Sequence, residues 1–87
     1  MSIAHNALDI ILLVINMLYR RIRDLREDKD MTQTDMAKIL HCSQRAYSNY
    51  ERGERNIPIE ILVMIADFHN VSVDYLLGRT NKKPVNR

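Results

Sequence analysis

Three polar side chains near the middle of the chain have the chemistry needed to recognise DNA bases. Gln44, Arg45 and Asn49 lie close together, directly after the serine at position 43. Glutamine and asparagine can form paired hydrogen bonds with adenine, and arginine can do so with guanine. At the start of a helix, these residues would occupy the half that reaches deepest into the major groove. We therefore predict that Gln44, Arg45 and Asn49 read base edges.

Three further polar residues in the same region are suited to phosphate contacts. Gln33 is expected at the start of a helix, where its backbone N–H and its side-chain amide can both meet a phosphate. Ser43 can cap the next helix and bond a phosphate as well. Ser48 is expected on the outward side of that helix as a lesser contact. Such contacts fix the register of a protein on DNA without reading its sequence.

The elements that would position these side chains are two short helices separated by a tight break. Thr32 and Asp35 have the spacing of a capping pair, which predicts the start of the first helix. The break runs from Leu40 to Ser43, and Ser43 caps the second helix, which we call the recognition helix. Its inward residues are small or aromatic: Ala46, Tyr47 and Tyr50. Two such helices at a sharp angle favour a helix-turn-helix motif.

A longer pattern of residues surrounds these two helices, from about Ile22 to Arg79. It consists of Leu25-Arg26, Thr32-Gln33, Ala37, Ser43-Gln44, Ser48, Tyr50-Glu51-Arg52-Gly53, Pro58, Ile65-Ala66 and the segment from Val71 to Gly78. In this order and spacing, the set resembles the phage-repressor-like (Xre/Cro) helix-turn-helix family of DNA-binding proteins. The family often has glycine where this chain has Asp30 and His41, two residues that tolerate left-handed backbone better than branched residues do.

The resemblance implies a fold and several residue roles. The expected fold is all-α, a five-helix repressor-like helix-turn-helix domain with an N-terminal apolar helical extension. The resemblance also implies an ion pair between Arg26 and Glu51 that ties the first helix to the recognition helix. If this pair is buried, losing one partner would cost about 3–5 kcal/mol. The residues that match backbone-contacting positions of the family are Arg52, Arg55 and Asn56.

Length and composition limit the chain to one small domain. It has 87 residues, only two Gly and two Pro, and no Trp, which favours helices over strands. Its net charge of +2 is small, so any attraction to DNA depends on where the charges lie. The single Cys42 excludes an internal disulfide and favours a reducing compartment. The apolar segment 7–19 is too short to span a membrane and lacks the features of a secretory signal, so we expect a cytoplasmic protein.

The residues before the family match form a separate apolar segment. Asn6 and Asp9 have the spacing of a helix cap, and the apolar residues that follow predict one helix from Ala7 to about Asp28. This helix is apolar on two sides, so it needs two partners. The side that we interpret as a dimerisation or partner surface contains Ile10, Leu13, Val14 and Met17. Two alternatives stay open: extra core packing within the monomer, and an edge strand over residues 10–15.

The remaining elements complete the predicted organisation of the chain. Pro58 is expected to begin a helix that ends near His69, whose ring would face the helix dipole. The expected buried residues of that helix are Ile59, Leu62, Ile65, Ala66 and Phe68. Ser72 caps a short last helix that ends at Gly78. We divide the chain into an apolar extension (1–16), a helix-turn-helix domain (17–79) and a basic flexible tail (80–87).

The sequence favours a DNA-binding regulator over an enzyme. Its histidines are scattered, and no metal-ligand spacing, nucleophile with a base, or phosphate-binding glycine loop occurs. We therefore expect no catalytic residue, no metal and no cofactor. The expected partner is double-stranded DNA, bound sequence-specifically by a homodimer that acts as a transcriptional repressor, with no membrane association. The alternative is an antitoxin or adaptor whose protein partner covers the N-terminal apolar helix.

Overall fold

Five helices make up residues 6–83, the part of the chain that the computed structural model describes. Their bounds are Ala7–Asp28 for α1, Gln33–Ile39 for α2, Gln44–Glu51 for α3, Ile59–His69 for α4 and Val73–Leu76 for α5. No strand occurs within residues 6–83, and the predicted all-α class is confirmed. α2 packs on α3, α3 packs on α1, and α5 contacts both α1 and α4.

The described part of the N-terminal extension, residues 6–16, is helical from Ala7 onward, as the predicted fold class requires. α1 runs for 22 residues from its cap at Asn6, whose side chain accepts a hydrogen bond from the Asp9 backbone N–H at 2.8 Å. The alternative of an edge strand over residues 10–15 is wrong, because this segment lies inside α1. The buried positions of α1 are Leu18, Ile22 and Leu25, so the helix enters the core only from its middle onward.

The core lies where the C-terminal half of α1 meets the other helices. Its largest fully buried side chains come from all five helices or their caps: Ile22, Met36, Leu40, Tyr47, Ile65 and Leu76. Full burial of a large apolar side chain contributes about 1.5–3 kcal/mol. Because these residues are far apart in sequence, their burial fixes the position of α3 relative to the rest of the domain.

Side-chain caps determine where the short helices begin. At α2, the Asp35 N–H donates to Thr32 Oγ1 at 3.0 Å, and the Thr32 N–H donates to Asp35 Oδ2 at 2.9 Å. This is the predicted capping box, and the bond from the Thr32 backbone lowers the pKa of the Asp35 carboxyl. Ser43 and Ser72 cap α3 and α5 by accepting a bond from the backbone N–H three residues later. Each such cap contributes about 1 kcal/mol.

Three non-glycine residues adopt left-handed backbone at the sharp connections. The φ angle is 55° at Asp30, 57° at His41 and 54° at Asn70. Asp30 and His41 occupy the two positions where the family often has glycine, and the prediction of left-handed backbone at both is confirmed. The conformation of His41 allows the chain to reverse between α2 and α3 within a few residues.

Two residues of α4 lie differently from what the sequence indicated. Ile59 was expected in the core but is 77% exposed, because it starts the helix beyond the core. His69 does end the helix, but its ring is buried, and neither ring nitrogen has a hydrogen-bond partner within residues 6–83. Burial and the nearby charge of Lys29 lower the pKa of His69 from 6.5 to about 4, so the ring is neutral at pH 7.

The first residues of the predicted flexible tail lie against the domain. The guanidinium of Arg21 on α1 donates to the Thr80 carbonyl at 2.8 Å and to Asn81 Oδ1 at 2.9 Å. The Ser72 N–H donates to the Lys83 carbonyl at 3.1 Å. Residues 80–83 therefore make contacts with α1 and with the cap of α5, and the flexibility of the tail (80–87) stays a prediction. Residues 84–87 of the tail and 1–5 of the extension lie outside the described part of the chain.

Candidate nucleic-acid interface

α2 and α3 form a helix-turn-helix unit whose second helix rests on aromatic side chains. The turn closes with a hydrogen bond from the Cys42 N–H to the Ala37 carbonyl at 3.0 Å. Tyr47 is fully buried and Tyr50 nearly so, which holds α3 against the core. Burial raises the pKa of the half-buried Cys42 thiol, so this thiol is a poor nucleophile at neutral pH.

The outward side of α3 carries most of the residues predicted to read bases. At 100° per residue, Arg45, Asn49 and Arg52 fall within about 60° of one another around the helix. Arg45 is exposed, and Asn49 is half-buried at its base. Gln44 is exposed because it starts the helix and projects beyond the core. The three predicted base-reading residues are therefore accessible on one end and one side of α3.

Ser48 does not lie on this outward side. It was expected to point outward as a phosphate contact, but it is 6% exposed. The buried positions of α3 are Tyr47, Ser48, Tyr50 and Glu51, which cover an arc of about 160°. Because the arc includes position 48, the serine is enclosed by the domain. We correct the assignment and exclude Ser48 from the candidate interface.

A chain of side-chain hydrogen bonds connects the start of α3 to the start of α2. Gln44 Nε2 donates to Gln33 Oε1 at 3.3 Å, and Gln33 Nε2 donates to Glu51 Oε1 at 3.2 Å. Because a carboxylate only accepts hydrogen bonds, Glu51 sets the orientation of the Gln33 amide, which in turn sets that of Gln44. Gln44 is left with a free acceptor and one free N–H, the pair that adenine requires.

The ion pair implied by the family resemblance is present and buried. Arg26 Nε donates to Glu51 Oε2 at 2.6 Å, and Arg26 Nη2 donates to Glu51 Oε1 at 3.1 Å. The two side chains are 12% and 3% exposed. Arg26 Nη1 also donates to the Met31 carbonyl at 2.8 Å, so the guanidinium joins α1, the loop before α2, and the end of α3.

The surroundings of this pair shift several pKa values. Burial alone would raise the pKa of the Glu51 carboxyl, but the hydrogen bonds from Arg26 and Gln33 lower it below its usual range. The hydrogen bond with Glu51 raises the pKa of Arg26 against the opposing effect of burial. Burial and the Glu51 carboxylate raise the pKa of the enclosed Tyr47 phenol, whose oxygen lacks a partner within residues 6–83. All three groups therefore hold their ordinary charges at pH 7.

Arg52 already has partners on the surface of the domain. Its Nε donates to Glu54 Oε1 at 2.5 Å, and its Nη2 donates to Asn49 Oδ1 at 2.9 Å. Glu54 was not predicted as a partner of Arg52, although its position two residues after an arginine was a usable signal. Both side chains of this pair are more than half exposed, so the ion pair contributes little to the free energy of folding. A phosphate could therefore replace Glu54 as the partner of Arg52 at small cost.

The remaining predicted phosphate contacts lie at the two ends of α3. Ser43 precedes the helix, where its Oγ accepts the Ala46 N–H and leaves its own O–H free to donate. Arg55 and Asn56 lie in the loop after α3, and both side chains are exposed. The structure thus places the candidate contacts before, along and after one short helix.

The predicted dimerisation or partner surface lies on α1, and we call its four residues Ile10, Leu13, Val14 and Met17 the N-terminal strip. Ile10 and Leu13 are exposed, whereas Val14 and Met17 are half-buried. Met17 packs against Gly78, where an added Cβ would come within 2.6 Å of Met17 Cγ. Part of the strip is therefore packed within the monomer, and the rest is exposed to solvent.

Within residues 6–83, no group of three or more His, Cys, Asp or Glu side chains is arranged to hold a metal ion. In the same part of the chain, no helix is long and apolar enough to cross a membrane. The polar groups that the structure brings together on the surface are amides and guanidiniums, which form hydrogen bonds with bases and phosphates. Fold and site together define a helix-turn-helix module whose second helix exposes polar side chains.

Comparison with known proteins agrees with this class. The family model described as Helix-turn-helix matches residues 22–76, which is more than half of the chain. The chain belongs to the phage-repressor-like (Xre/Cro) helix-turn-helix family.

Several curated proteins are similar to the chain. YobD of Bacillus subtilis, an uncharacterized HTH-type transcriptional regulator, is 34% identical over 65 residues, covering 75% of this chain and 58% of YobD. The cryptic phage CTXphi transcriptional repressor RstR of Vibrio cholerae is 30% identical over 62 residues, covering 71% of this chain and 56% of RstR. The antitoxin PezA of Streptococcus pneumoniae is 32% identical over 62 residues, covering 71% of this chain and 39% of PezA. The chain thus spans about half the length of such relatives, and no solved structure matches it significantly.

Proposed function

We propose that the chain is a sequence-specific double-stranded DNA-binding protein that regulates transcription. The observation that carries this proposal is α3, a helix that exposes Gln44, Arg45 and Asn49 while Tyr47 and Tyr50 anchor it in the core. A rigid helix with this outer side fits the major groove, where each base pair has a distinct pattern of donors and acceptors. Membership in the helix-turn-helix family supports the same function.

The proposed contacts divide into base reading and positioning. Arg45 is exposed and makes no side-chain hydrogen bond within residues 6–83, so it is the proposed reader of a guanine. Gln44 offers the acceptor and donor that match adenine, and Asn49 reads a neighbouring base. The groups proposed to hold phosphates are Gln33, Ser43, Arg52, Arg55 and Asn56. The phosphate contacts supply affinity that depends on salt, and the base contacts supply sequence preference.

We further propose that the protein acts in the cytoplasm as a dimeric repressor. A single unit of this size makes few contacts, and the motif normally binds two half-sites about one DNA turn apart. The exposed part of the N-terminal strip supplies apolar area for a subunit contact. The similarity to RstR, which is named a transcriptional repressor, supports repression.

The rival proposal is an antitoxin or adaptor that binds another protein through α1. It is supported by the similarity to PezA, which is named an antitoxin, and by the exposed aliphatic residues near the start of α1. An antitoxin can also repress, so the two proposals share the DNA-binding surface. They differ in what covers the apolar residues of α1.

Selection of bound sequences from a pool of random duplex DNA tests the main proposal. The wild-type chain should enrich an inverted repeat whose half-sites are about one helical turn apart. A chain with Gln44→Ala, Arg45→Ala and Asn49→Ala should enrich no sequence, although its folded helical content should be unchanged because all three side chains lie outside the core. Failure of the wild-type chain to enrich any sequence would refute sequence-specific binding and leave the protein-binding proposal in its place.

A further inference from the structure

The N-terminal strip continues into an apolar groove on the same chain. Leu13, Val14 and Met17 form one wall, and Leu77 and Gly78 at the end of α5 form the other. The volume of the groove is about 220 Å³. Apolar cavities of roughly 150 Å³ hold a benzene-sized group, so this groove has room for one aliphatic side chain. Gly78 keeps it open, because any larger residue at that position would collide with Met17.

A side chain of the right kind lies one turn away, on the exposed end of the strip. Ile10 is 50% exposed and Leu13 is 67% exposed. Both belong to the same side of α1 as the groove, because residues three, four and seven apart share one side of a helix. Ile10 does not line the groove of its own chain, because the rigid α1 holds it one turn before Leu13 and Val14. Ile10 of another copy can reach it.

We propose that a second copy of this chain docks on the strip with its α1 antiparallel, and that each copy inserts Ile10 into the groove of the other. This rests on the dimer proposed above and specifies its geometry. With a two-fold axis between Leu13 and Val14, Ile10 of one copy lies opposite Met17 of the other. Leu13 of one copy lies beside Leu13 of the other, because the axis keeps each flank of α1 on the same side of the contact and the two positions differ by about 1.5 Å along the helices. The contact is isologous, so both copies use the same residues.

Charges beside the strip favour the antiparallel direction. Asp9 and Arg20 lie on the same flank of α1, eleven residues and thus about three turns apart. The proposed axis brings Asp9 of one copy within about 3 Å, along the helix direction, of Arg20 of the other. Parallel pairing would put this flank of the two copies on opposite edges of the contact, so Asp9 would not meet Arg20 of the other copy. Arg20 is exposed and has no ion pair within residues 6–83, so its charge is available to a second copy.

The area available fits a weak but specific dimer. Covering the strip, Leu77 and the two flanking charges removes on the order of 500 Å² from water on each copy. The total of about 1,000 Å² lies at the lower end for specific interfaces, so we expect a dissociation constant in the micromolar range. The remaining exposed aliphatic residues of α1, Leu8, Ile11 and Leu12, lie on other sides of the helix, more than about 100° from the centre of the strip and outside this contact.

Cysteine cross-linking tests the direction of pairing in the full chain with Cys42→Ala. The antiparallel axis places the two copies of Leu13 side by side, so Leu13→Cys should form a disulfide-linked dimer under mild oxidation. The two copies of Ile10 lie about 10 Å apart along the helices, so Ile10→Cys alone should stay uncross-linked. Cross-linking of both variants would show parallel pairing and overturn the proposal, as would cross-linking of neither.

Charge reversal with sedimentation analysis gives an independent measurement. Asp9→Arg and Arg20→Asp should each raise the dissociation constant of the dimer by roughly tenfold, and the double variant should restore it. Arg23→Asp, on a part of α1 outside the contact, is the matched control and should leave it unchanged. A monomeric wild-type chain, or reversals that have no effect, would overturn the proposal. DNA binding to a single half-site, measured in parallel, shows separately whether the proposed function holds.

Discussion

Removal of Arg26 is predicted to destabilise the domain far more than removal of an exposed arginine. The Arg26 guanidinium donates two hydrogen bonds to Glu51 and one to the Met31 carbonyl, and the two charged side chains are almost fully enclosed. In Arg26→Met, the Glu51 carboxylate stays buried with Gln33 as its remaining donor. We therefore expect the free energy of unfolding to fall by about 3–5 kcal/mol. A domain of this size has a total on the order of 4–13 kcal/mol, so the loss is large.

Urea unfolding followed by circular dichroism at pH 7 measures this effect. Arg23→Met is the matched control, because Arg23 is exposed on the same helix and its loss should change stability by no more than about 0.5 kcal/mol. Replacing both Arg26 and Glu51 by Met removes the stranded charge together with its partner. The loss of unfolding free energy in the double variant should therefore be clearly smaller than the sum of the losses in Arg26→Met and Glu51→Met.

The pH dependence of unfolding in wild type and in Glu51→Gln provides a second check. Because the folded-state pKa of Glu51 lies below its ordinary value, its stabilisation is present above the unfolded pKa and is lost as pH falls through the folded pKa. The difference between wild type and Glu51→Gln should therefore shrink as pH falls from 5 toward 2. Equal unfolding midpoints for Arg26→Met and Arg23→Met, or strictly additive losses in the double variant, would refute the reasoning.

Three further perturbations follow from single contacts. The pKa of His69 is about 4 in the folded protein instead of 6.5, so protonation favours the unfolded chain. The free energy of unfolding should therefore fall by about 3 kcal/mol as pH decreases from above 6.5 toward 4. His69→Leu should abolish that fall in urea titrations at pH 7.5 and 4.5, and an unchanged fall would contradict the assignment. Gly53→Ala should cost about 1–3 kcal/mol in thermal unfolding, because φ is +73° and the new Cβ would lie 2.5 Å from Tyr19 Cε2. In the double variant with Tyr19→Ala, only the cost of the left-handed backbone at position 53 should remain. A Gly53→Ala variant as stable as wild type would argue against the contact between position 53 and the Tyr19 ring. Arg52→Ala should weaken binding to all DNA sequences alike and reduce the salt slope by about 1 in fluorescence anisotropy titrations, whereas a sequence-dependent loss would make Arg52 a base reader.

Features set by local sequence were predictable. The capping box of Thr32 and Asp35 and the left-handed backbone at Asp30 and His41 depend on residues within one turn of each other. The pair of Arg26 and Glu51 is 25 residues apart in sequence, and only the family resemblance pointed to it. Composition and periodicity alone contain no signal for that contact.

Features set by tertiary packing were not predictable from the sequence. Ser48 is polar and lies next to outward residues, but contact of α3 with two other helices widens its buried arc to include that position. His69 is enclosed although a histidine at a helix end is usually hydrated. The segment from residue 80 has the composition of a flexible tail, but Arg21 donates hydrogen bonds to the Thr80 carbonyl and to Asn81 Oδ1. In each case, the deciding contact comes from an element distant in the chain.

The central claim is that α3 reads base pairs through its exposed side chains. The most direct test measures Arg45→Ala binding to the selected operator and to every single base-pair variant of it, with Arg23→Ala as control. Arg45→Ala should lose discrimination of about 1–3 kcal/mol at one base pair in each half-site and keep its preferences elsewhere, while the control should match wild type. An equal loss of affinity for every variant, with all preferences intact, would contradict it.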